Sequence, residues 1–235
     1  MRNILMLLFG FILTHQNLLS QASFVCGNKM KDYDGNLYNT VQIGAQCWMK
    51  ENLRTSHDRN GILIPISFET TDDFACRLSP NNASWVVSYG YKYNWLAARI
   101  ACPRGWHLPT AEEFEELRVY CSNHYSVGNN AVNVAKSLAS KSKWFLSEIS
   151  YSPGNYSSQN NASGFSAYPV DIRAYNGIVE GIIGKYTQFW SSTPDTDDAF
   201  GTKCAFGLGL SYEWPHTTIK PYYRYYGFSV RCVRD

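Results

Sequence analysis

Seven cysteines (Cys26, Cys47, Cys76, Cys102, Cys121, Cys204 and Cys232) restrict this chain more than any other feature, because all of them follow a leader of the secretory type. Arg2 supplies a positive start, Ile4 to Leu13 an apolar run, and Ser20-Gln21-Ala22 the small residues a signal peptidase requires. Cleavage is expected after Ala22, leaving residues 23–235 as one domain. The apolar run is about half of what a membrane-spanning helix needs, so no transmembrane segment is expected. Export carries the cysteines into a compartment where disulfides persist, so the expected location is secreted, periplasmic or on the outer cell surface. Cys26 follows the leader where a lipid anchor would attach, yet bulky Phe24 and Val25 precede it where small residues are expected. An odd count leaves at least one thiol unpaired or bonded between chains. No C-x-x-C pair occurs, so zinc-ribbon spacing is absent and structural staples are the better use of the sulfur.

The mature chain is long enough, and at 45% hydrophobic and 15% aromatic rich enough, to bury a substantial core. With 21 Lys and Arg against 19 Asp and Glu, and no long block of either sign, a nucleic-acid footprint is not expected.

Asp32-Tyr33-Asp34-Gly35 is a turn, and Leu37 to Ile43 alternates as a strand does. Gly44-Ala45 then turns the chain into a second strand, Gln46 to Met49. Asp32 and Asp34 do not form an EF-hand loop, which needs further oxygen ligands and a closing Glu. Residues 54–90 show no sustained period and read as a long loop excursion, with Cys76 as a candidate local tether. Tyr91 to Ile100 is a short helix with Trp95 and Ala98 on one face. Thr110 and Glu113 make a capping box, and Phe114, Leu117 and Cys121 place one helical stripe toward the core. A weaker helix is expected over Ala131 to Ser140, and Ser150 to Ser163 is loop. Strands are expected over Phe165 to Ala174, Thr187 to Ser192, Ala199 to Tyr212 and Tyr225 to Val233. In the last of these Phe228, Val230 and Cys232 alternate with polar residues as in a half-buried strand. Asn82, Asn155 and Asn161 head Asn-x-Ser sequons in polar stretches.

The motifs of catalysis are missing. There is no Gly-x-Ser-x-Gly elbow and no His-Glu-x-x-His, and the five histidines are scattered. The glutamates of the capped helix read as a solvated face. His107, beside Trp106, reads as a hydrogen-bonded wall residue and not as a base.

Two long blocks, Asp34-Gly35-Asn36-Leu37-Tyr38-Asn39-Thr40-Val41-Gln42-Ile43-Gly44 and Gln46-Cys47-Trp48-Met49-Lys50-Glu51-Asn52-Leu53-Arg54-Thr55, open a series of recognisable segments. Tyr93-Asn94-Trp95, Cys102-Pro103-Arg104-Gly105-Trp106-His107-Leu108-Pro109-Thr110, Gly164-Phe165-Ser166-Ala167, Trp190-Ser191-Ser192-Thr193 and Gly227-Phe228-Ser229-Val230-Arg231-Cys232-Val233-Arg234 follow. In this order they resemble the Fibrobacter succinogenes major paralogous domain over roughly residues 30–235. More distantly, the 105–117 block and the closing Gly-Phe…Arg-Cys are similar to the formylglycine-generating enzyme group, whose fold is a C-type-lectin-like variant. The resemblance implies an α+β, C-type-lectin-like fold: two or three short helices packed on twisted, mostly antiparallel strands, with long loops and disulfide staples. It also implies that the N- and C-terminal strands pair and that Cys102 bonds Cys232, closing a loop worth about 4–5 kcal/mol by chain entropy. Cys26 with Cys47 would fasten the N-terminal hairpin. Cys76, Cys121 and Cys204 have no assigned partner.

The lectin likeness, the leader and the aromatic-polar loops together point to an exported, non-catalytic binding or adhesion module, with a glycan or a surface protein as partner. The candidate contact residues are Trp190, Tyr212, Trp214, Tyr222 and Tyr223, with Asp195, Asp197 and Asp198 as polar partners. No metal or other cofactor is called for. Calcium is the one ion the acidic turn leaves open, since Thr193-Pro194-Asp195 gives one side of a lectin-type site and no Trp-Asn-Asp follows. An oxidase of the formylglycine-generating kind needs two closely spaced reactive cysteines, and Cys204 and Cys232 are far apart in sequence. A structural component of a surface assembly, using the odd cysteine between chains, is the third expectation.

Overall fold

A computed structural model describes residues 24–78, 84–126, 133–170, 172–173, 179–180, 183–197 and 203–235. The chain opens with β1 (Met30–Lys31) and β2 (Leu37–Tyr38), paired across the expected turn, where Gly35 takes φ +84°. β3 (Thr40–Ile43) and β4 (Gln46–Met49) form the expected hairpin. Its two-residue loop begins with Gly44 at φ +60°, a left-handed conformation that glycine adopts without strain. Leu37 to Ile43 is not one continuous strand. It breaks at Asn39, whose backbone N–H and side-chain amide both donate to the Glu51 carboxylate, at 2.8 and 2.6 Å.

The excursion that follows carries β5 (Ile66–Ser67), β6 (Arg77–Leu78), α1 (Trp85–Tyr89), β7 (Lys92–Tyr93) and α2 (Trp95–Ala101). Cys76 does not tether it, being a buried free thiol. Asn94 does that work. As the N-cap of α2 it accepts from Ala97 N–H, the same oxygen accepts from Cys76 N–H, and its amide donates to the carbonyls of Thr71 and Phe74. One fully satisfied side chain starts a helix and holds the returning loop.

β8 (Trp106–His107) leads into α3 (Ala111–Tyr125), where both halves of the capping box are present. Phe114, Leu117 and Cys121 are fully buried along the predicted stripe. Of the expected helix at 131–140, residues 131–132 lie outside the described residues and α4 spans only Ala135–Leu138. It ends where the chain turns extended at Ala139 and bridges Ala167, with Ser140 N–H donating to the Ala167 carbonyl, while buried Lys136 donates to the carbonyls of Asn155 and Tyr156 and to Asn160 Oδ1.

β9 (Ile172–Arg173) and β10 (Val179–Glu180) pair, followed by the meander β11 (Tyr186–Pro194), β12 (Cys204–Ser211) and β13 (Thr218–Tyr223). β13 has no counterpart in the sequence expectations. Of the strand expected over Phe165 to Ala174, residues 171 and 174 lie outside the described residues and only Ile172–Arg173 is strand among the rest. Of that expected over Ala199 to Tyr212, residues 199–202 lie outside them and Cys204–Ser211 is strand. β14 (Val233–Arg234) is all that remains of the predicted terminal strand. Gly227 to Val233 is buried on both faces and not half-buried. Phe228 bridges Tyr93, Ser229 bridges Phe189, Val230 accepts from Leu53 and Cys232 from Met49. Partners alternate between segments, so no continuous ladder forms.

The fold class is α+β, with four α-helices among the described residues and sheets antiparallel except for the β5–β6 pair. The expectation of two or three short helices is corrected: α3 is 15 residues long, because its cap and apolar stripe sustain four turns. In the sheet ordered β3-β4-β14-β8, the two ends of the domain meet. Cys102–Cys232 and Cys26–Cys47 are both bonded, so Cys26 has no sulfur left for a lipid thioether. Cys76, Cys121 and Cys204 are buried, which removes the odd cysteine as an inter-chain link.

Candidate functional site

At one end of the β11-β12-β13 meander, Cys204 lies opposite Tyr223 and Ala205 opposite Tyr222. The turn after β13 is closed by Tyr226 N–H donating to the Tyr223 carbonyl, which gathers four tyrosines. The rings of Tyr223 and Tyr225 stack at 5.2 Å and 10°, with Tyr226 edge-on to Tyr225 at 5.1 Å. Arg224 pins the turn inward: its Nε donates to the Cys204 carbonyl and its guanidinium lies 4.3 Å from the Trp95 ring centre. The result is a half-open cleft of about 300 Å³ lined by Cys204, Lys220, Pro221, Tyr222, Tyr223 and Tyr226. Burial pushes the Tyr222 phenol pKa up, so Tyr222 is a neutral wall, while Tyr223 stands at the rim, 36% exposed.

Of the sequence candidates, the structure brings Tyr222, Tyr223 and Asp195 together at this end. Asp195 N–H donates to the Cys204 carbonyl, but the residue is 7% exposed and its Oδ1 accepts from Asp197 N–H, so it braces its own turn. Asp197 is exposed on that turn. Asp198 lies outside the described residues, and among the described residues no three His, Cys, Asp or Glu side chains converge as a metal set.

Trp190 is corrected. It is fully buried, stacked 4.3 Å from Phe228, with its indole N–H donating to the Tyr93 carbonyl, so no face is left for a ligand. Its outward neighbours on the strand are covered by α2 and the terminal segment, which an alternating pattern does not register. Tyr212 and Trp214 sit beyond the other end of β12, roughly 25 Å away at about 3.3 Å per residue, with Trp214 stacked parallel to His216. Tyr225, Tyr226 and Lys220 were missed, although the run Tyr222-Tyr223-Arg224-Tyr225-Tyr226 signals them. Tyr225, expected at the start of a strand, lies in the turn after β13.

Two other polar clusters carry histidine. His57 Nδ1 meets Asp34, and Ser56 Oγ approaches the same nitrogen at 3.2 Å while also donating to Asp34. A nucleophile relay needs serine and carboxylate on opposite ring nitrogens, so this is a turn network. His107 donates from Nδ1 to Asp235 at 2.6 Å and from Nε2 to Glu113 at 2.8 Å. Glu113 above all, then Asp235, raises the imidazole's pKa, and the Glu113 carboxyl is lowered in turn despite its burial. With both nitrogens occupied, His107 is the wall residue expected of it. The thiols are unreactive by environment: burial pushes Cys76 and Cys121 up to about 11 and also raises Cys204.

The sequence model of the Fibrobacter succinogenes major domain matches residues 41–234, most of the chain. The chain belongs to that family. No curated protein and no solved structure matches it. In this Fibrobacter major domain the matched region runs from β3 to β14, so it includes the hairpin, the long disulfide and the tyrosine cleft.

Proposed function

We propose that this Fibrobacter major domain is an exported, non-catalytic recognition module that holds carbohydrate against the tyrosine cleft after β13, on a C-type-lectin-like architecture. The single observation carrying this reading is the tyrosine cluster, with Tyr223 exposed at the rim and stacked on Tyr225, around a cleft of about 300 Å³. Flat aromatic faces pack against the apolar face of a pyranose ring, and Lys220 at the rim offers a donor to its hydroxyls. Export to the periplasm or the outer surface is supported by the leader-like start and by two bonded disulfides in a chain that keeps three other thiols buried. A non-catalytic role is supported by His107, whose two ring nitrogens are both occupied. It is supported also by Cys232 being tied to Cys102, which leaves no reactive cysteine pair for an oxidase. Calcium would enter through Asp195 and Asp197 only if the turn opened.

Glycan-array binding by the oxidised domain, with and without chelator, tests the reading. Tyr223→Ala and Tyr226→Ala should each weaken any glycan bound by about tenfold, one stacking contact being of order 1 kcal/mol or more. Unchanged binding by both variants sinks the cleft. A second reading, docking in a surface protein assembly, is favoured by Ile62, Leu63 and Phe68 on the excursion, which are 66%, 59% and 81% exposed.

A further inference from the structure

A cavity of about 360 Å³ outside the tyrosine cleft collects three cations from three distant parts of the chain: Lys31, Arg59 and Arg104. Lys31 belongs to β1, beside the Cys26–Cys47 staple. Arg59 sits in a tight turn where Asp58 Oδ1 accepts from Asn60 and Ile62 N–H groups, both at 2.8 Å, and Arg59 N–H donates to the Ile100 carbonyl. Arg104 lies two residues past Cys102 and donates from Nη2 to Asn60 Oδ1 at 3.0 Å. Tyr33 forms a wall of the same cavity. It packs so tightly on Gly61, itself at φ +85°, that a Cβ there would sit 2.4 Å from the ring. The fold brings the three cations together from β1, from the turn at Asp58 and from the segment after Cys102.

Asp32, which also lines the cavity, answers only one of the three charges, so a net excess of positive charge remains. No carboxylate forms an ion pair with Lys31, Arg59 or Arg104 among the described residues; the ion pairs present are His57–Asp34, His107–Glu113, His107–Asp235 and Arg118–Glu115. Asp32 is 5% exposed. Its oxygens are taken by the N–H and side-chain amide of Asn36 and by the Tyr38 hydroxyl, at 2.9, 2.8 and 2.6 Å. The chain as a whole is near neutral, at a formal +2, so this gathering of like charge does not follow from bulk basicity. Like charges around one concavity repel, and an anion placed among them relieves that repulsion. Two guanidinium groups match the planar or tetrahedral oxygens of a carboxylate or a sulfate.

We infer that this cavity binds the acidic group of a saccharide, a uronic-acid carboxylate or a sugar sulfate, presented to Arg59, Arg104 and Lys31. The volume exceeds what a bare ion fills, and the Tyr33 ring and the Asn60 amide give a sugar ring a flat face and a polar partner. The inference rests on the recognition role proposed above but not on the tyrosine cleft, and it adds the ligand's charge.

Calorimetric titration of the oxidised chain at physiological ionic strength uses four probes: an oligogalacturonate, a heparin-derived oligosaccharide, a neutral malto-oligosaccharide and inorganic phosphate. At least one acidic oligosaccharide should bind more tightly than the neutral one and than phosphate, and its affinity should fall as salt rises. Arg59→Ala/Arg104→Ala should weaken it by about tenfold or more, and Lys31→Glu should do the same independently. Which acidic probe binds identifies carboxylate or sulfate as the source of charge. Acidic binding that survives both cation variants, or is matched by the neutral probe or by phosphate, overturns the inference. Neutral-glycan binding lost in Tyr223→Ala alongside no acidic binding would leave the cleft's role standing and remove this site. Acidic binding lost only in the cation variants would do the reverse.

Discussion

Arg231 shows what one residue does when its surroundings decide its role. It is fully buried, and it donates to Asn52 Oδ1 and to the carbonyls of Met49, Phe165 and Ser166, over the rings of Phe165 and Phe189 at 4.9 and 5.4 Å. Burial pulls its pKa down to about 9, which still leaves it charged at neutral pH. Its donors are met by oxygens of segments that are distant in sequence, so the guanidinium fixes their relative positions. Arg231→Leu leaves those acceptors buried without donors, and urea unfolding of the oxidised protein should show a loss of about 3 kcal/mol or more. A loss under about 1 kcal/mol would mean that the segments are held by packing alone. The residue stands in a recognisable block, but its burial was not legible there, since an arginine between Val230 and Cys232 reads as the solvent face of a strand.

Among the elements, α3 was the most readable. Cap, box and stripe are all local, running from Thr110 to Cys121, and local rules suffice for such a feature. What the helix start is tied to is not local: His107 on β8 clamps Glu113 of α3 to Asp235 beyond β14. A histidine pKa raised by folding contributes stability that is fully present below its unfolded value of 6.5 and is lost as pH climbs through the folded value. Glu113, lowered from 4.5, works in the opposite direction, losing its contribution as pH falls through its folded value. Thermal unfolding should therefore show a decline in stability from about pH 6.5 upward, of under about 1 kcal/mol because the imidazole is a third exposed. His107→Gln should flatten that decline, and an identical slope in the variant would assign it to other groups. A second element-level test concerns the excursion. Asn94→Ala removes the cap and the two carbonyl anchors at Thr71 and Phe74, so limited proteolysis between residues 65 and 78 should accelerate, with a stability loss of about 2 kcal/mol. Unchanged cleavage there would show the loop to be held by β5–β6–β7 pairing.

For the whole molecule, the two disulfides are not equivalent. Cys102–Cys232 closes 130 residues and Cys26–Cys47 closes 21, so chain entropy assigns them about 4–5 and about 3 kcal/mol. Cys102→Ser/Cys232→Ser should lower the unfolding free energy more than Cys26→Ser/Cys47→Ser, as measured by parallel denaturant titrations. The reverse order would mean that strain or residual structure outweighs loop length. The long staple does more than stabilise. It sits beside the sheet in which β4, β14 and β8 bring together both ends of the domain, and it fixes the turn that carries Arg104.

The cysteine pairing expected from the family blocks, the capped helix and its buried stripe, the first hairpin, and membership of the family were all legible in the order of the residues. Each of these depends on neighbours in the chain or on an ordered set of short blocks. That Trp190 is core, that Arg231 is interior, that Tyr222, Tyr223 and Tyr226 line one cleft, and that Lys31, Arg59 and Arg104 share a cavity came from the packed molecule alone. Burial and convergence are properties of contacts between distant segments, and a hydrophobic or charged letter carries no record of what will be packed against it.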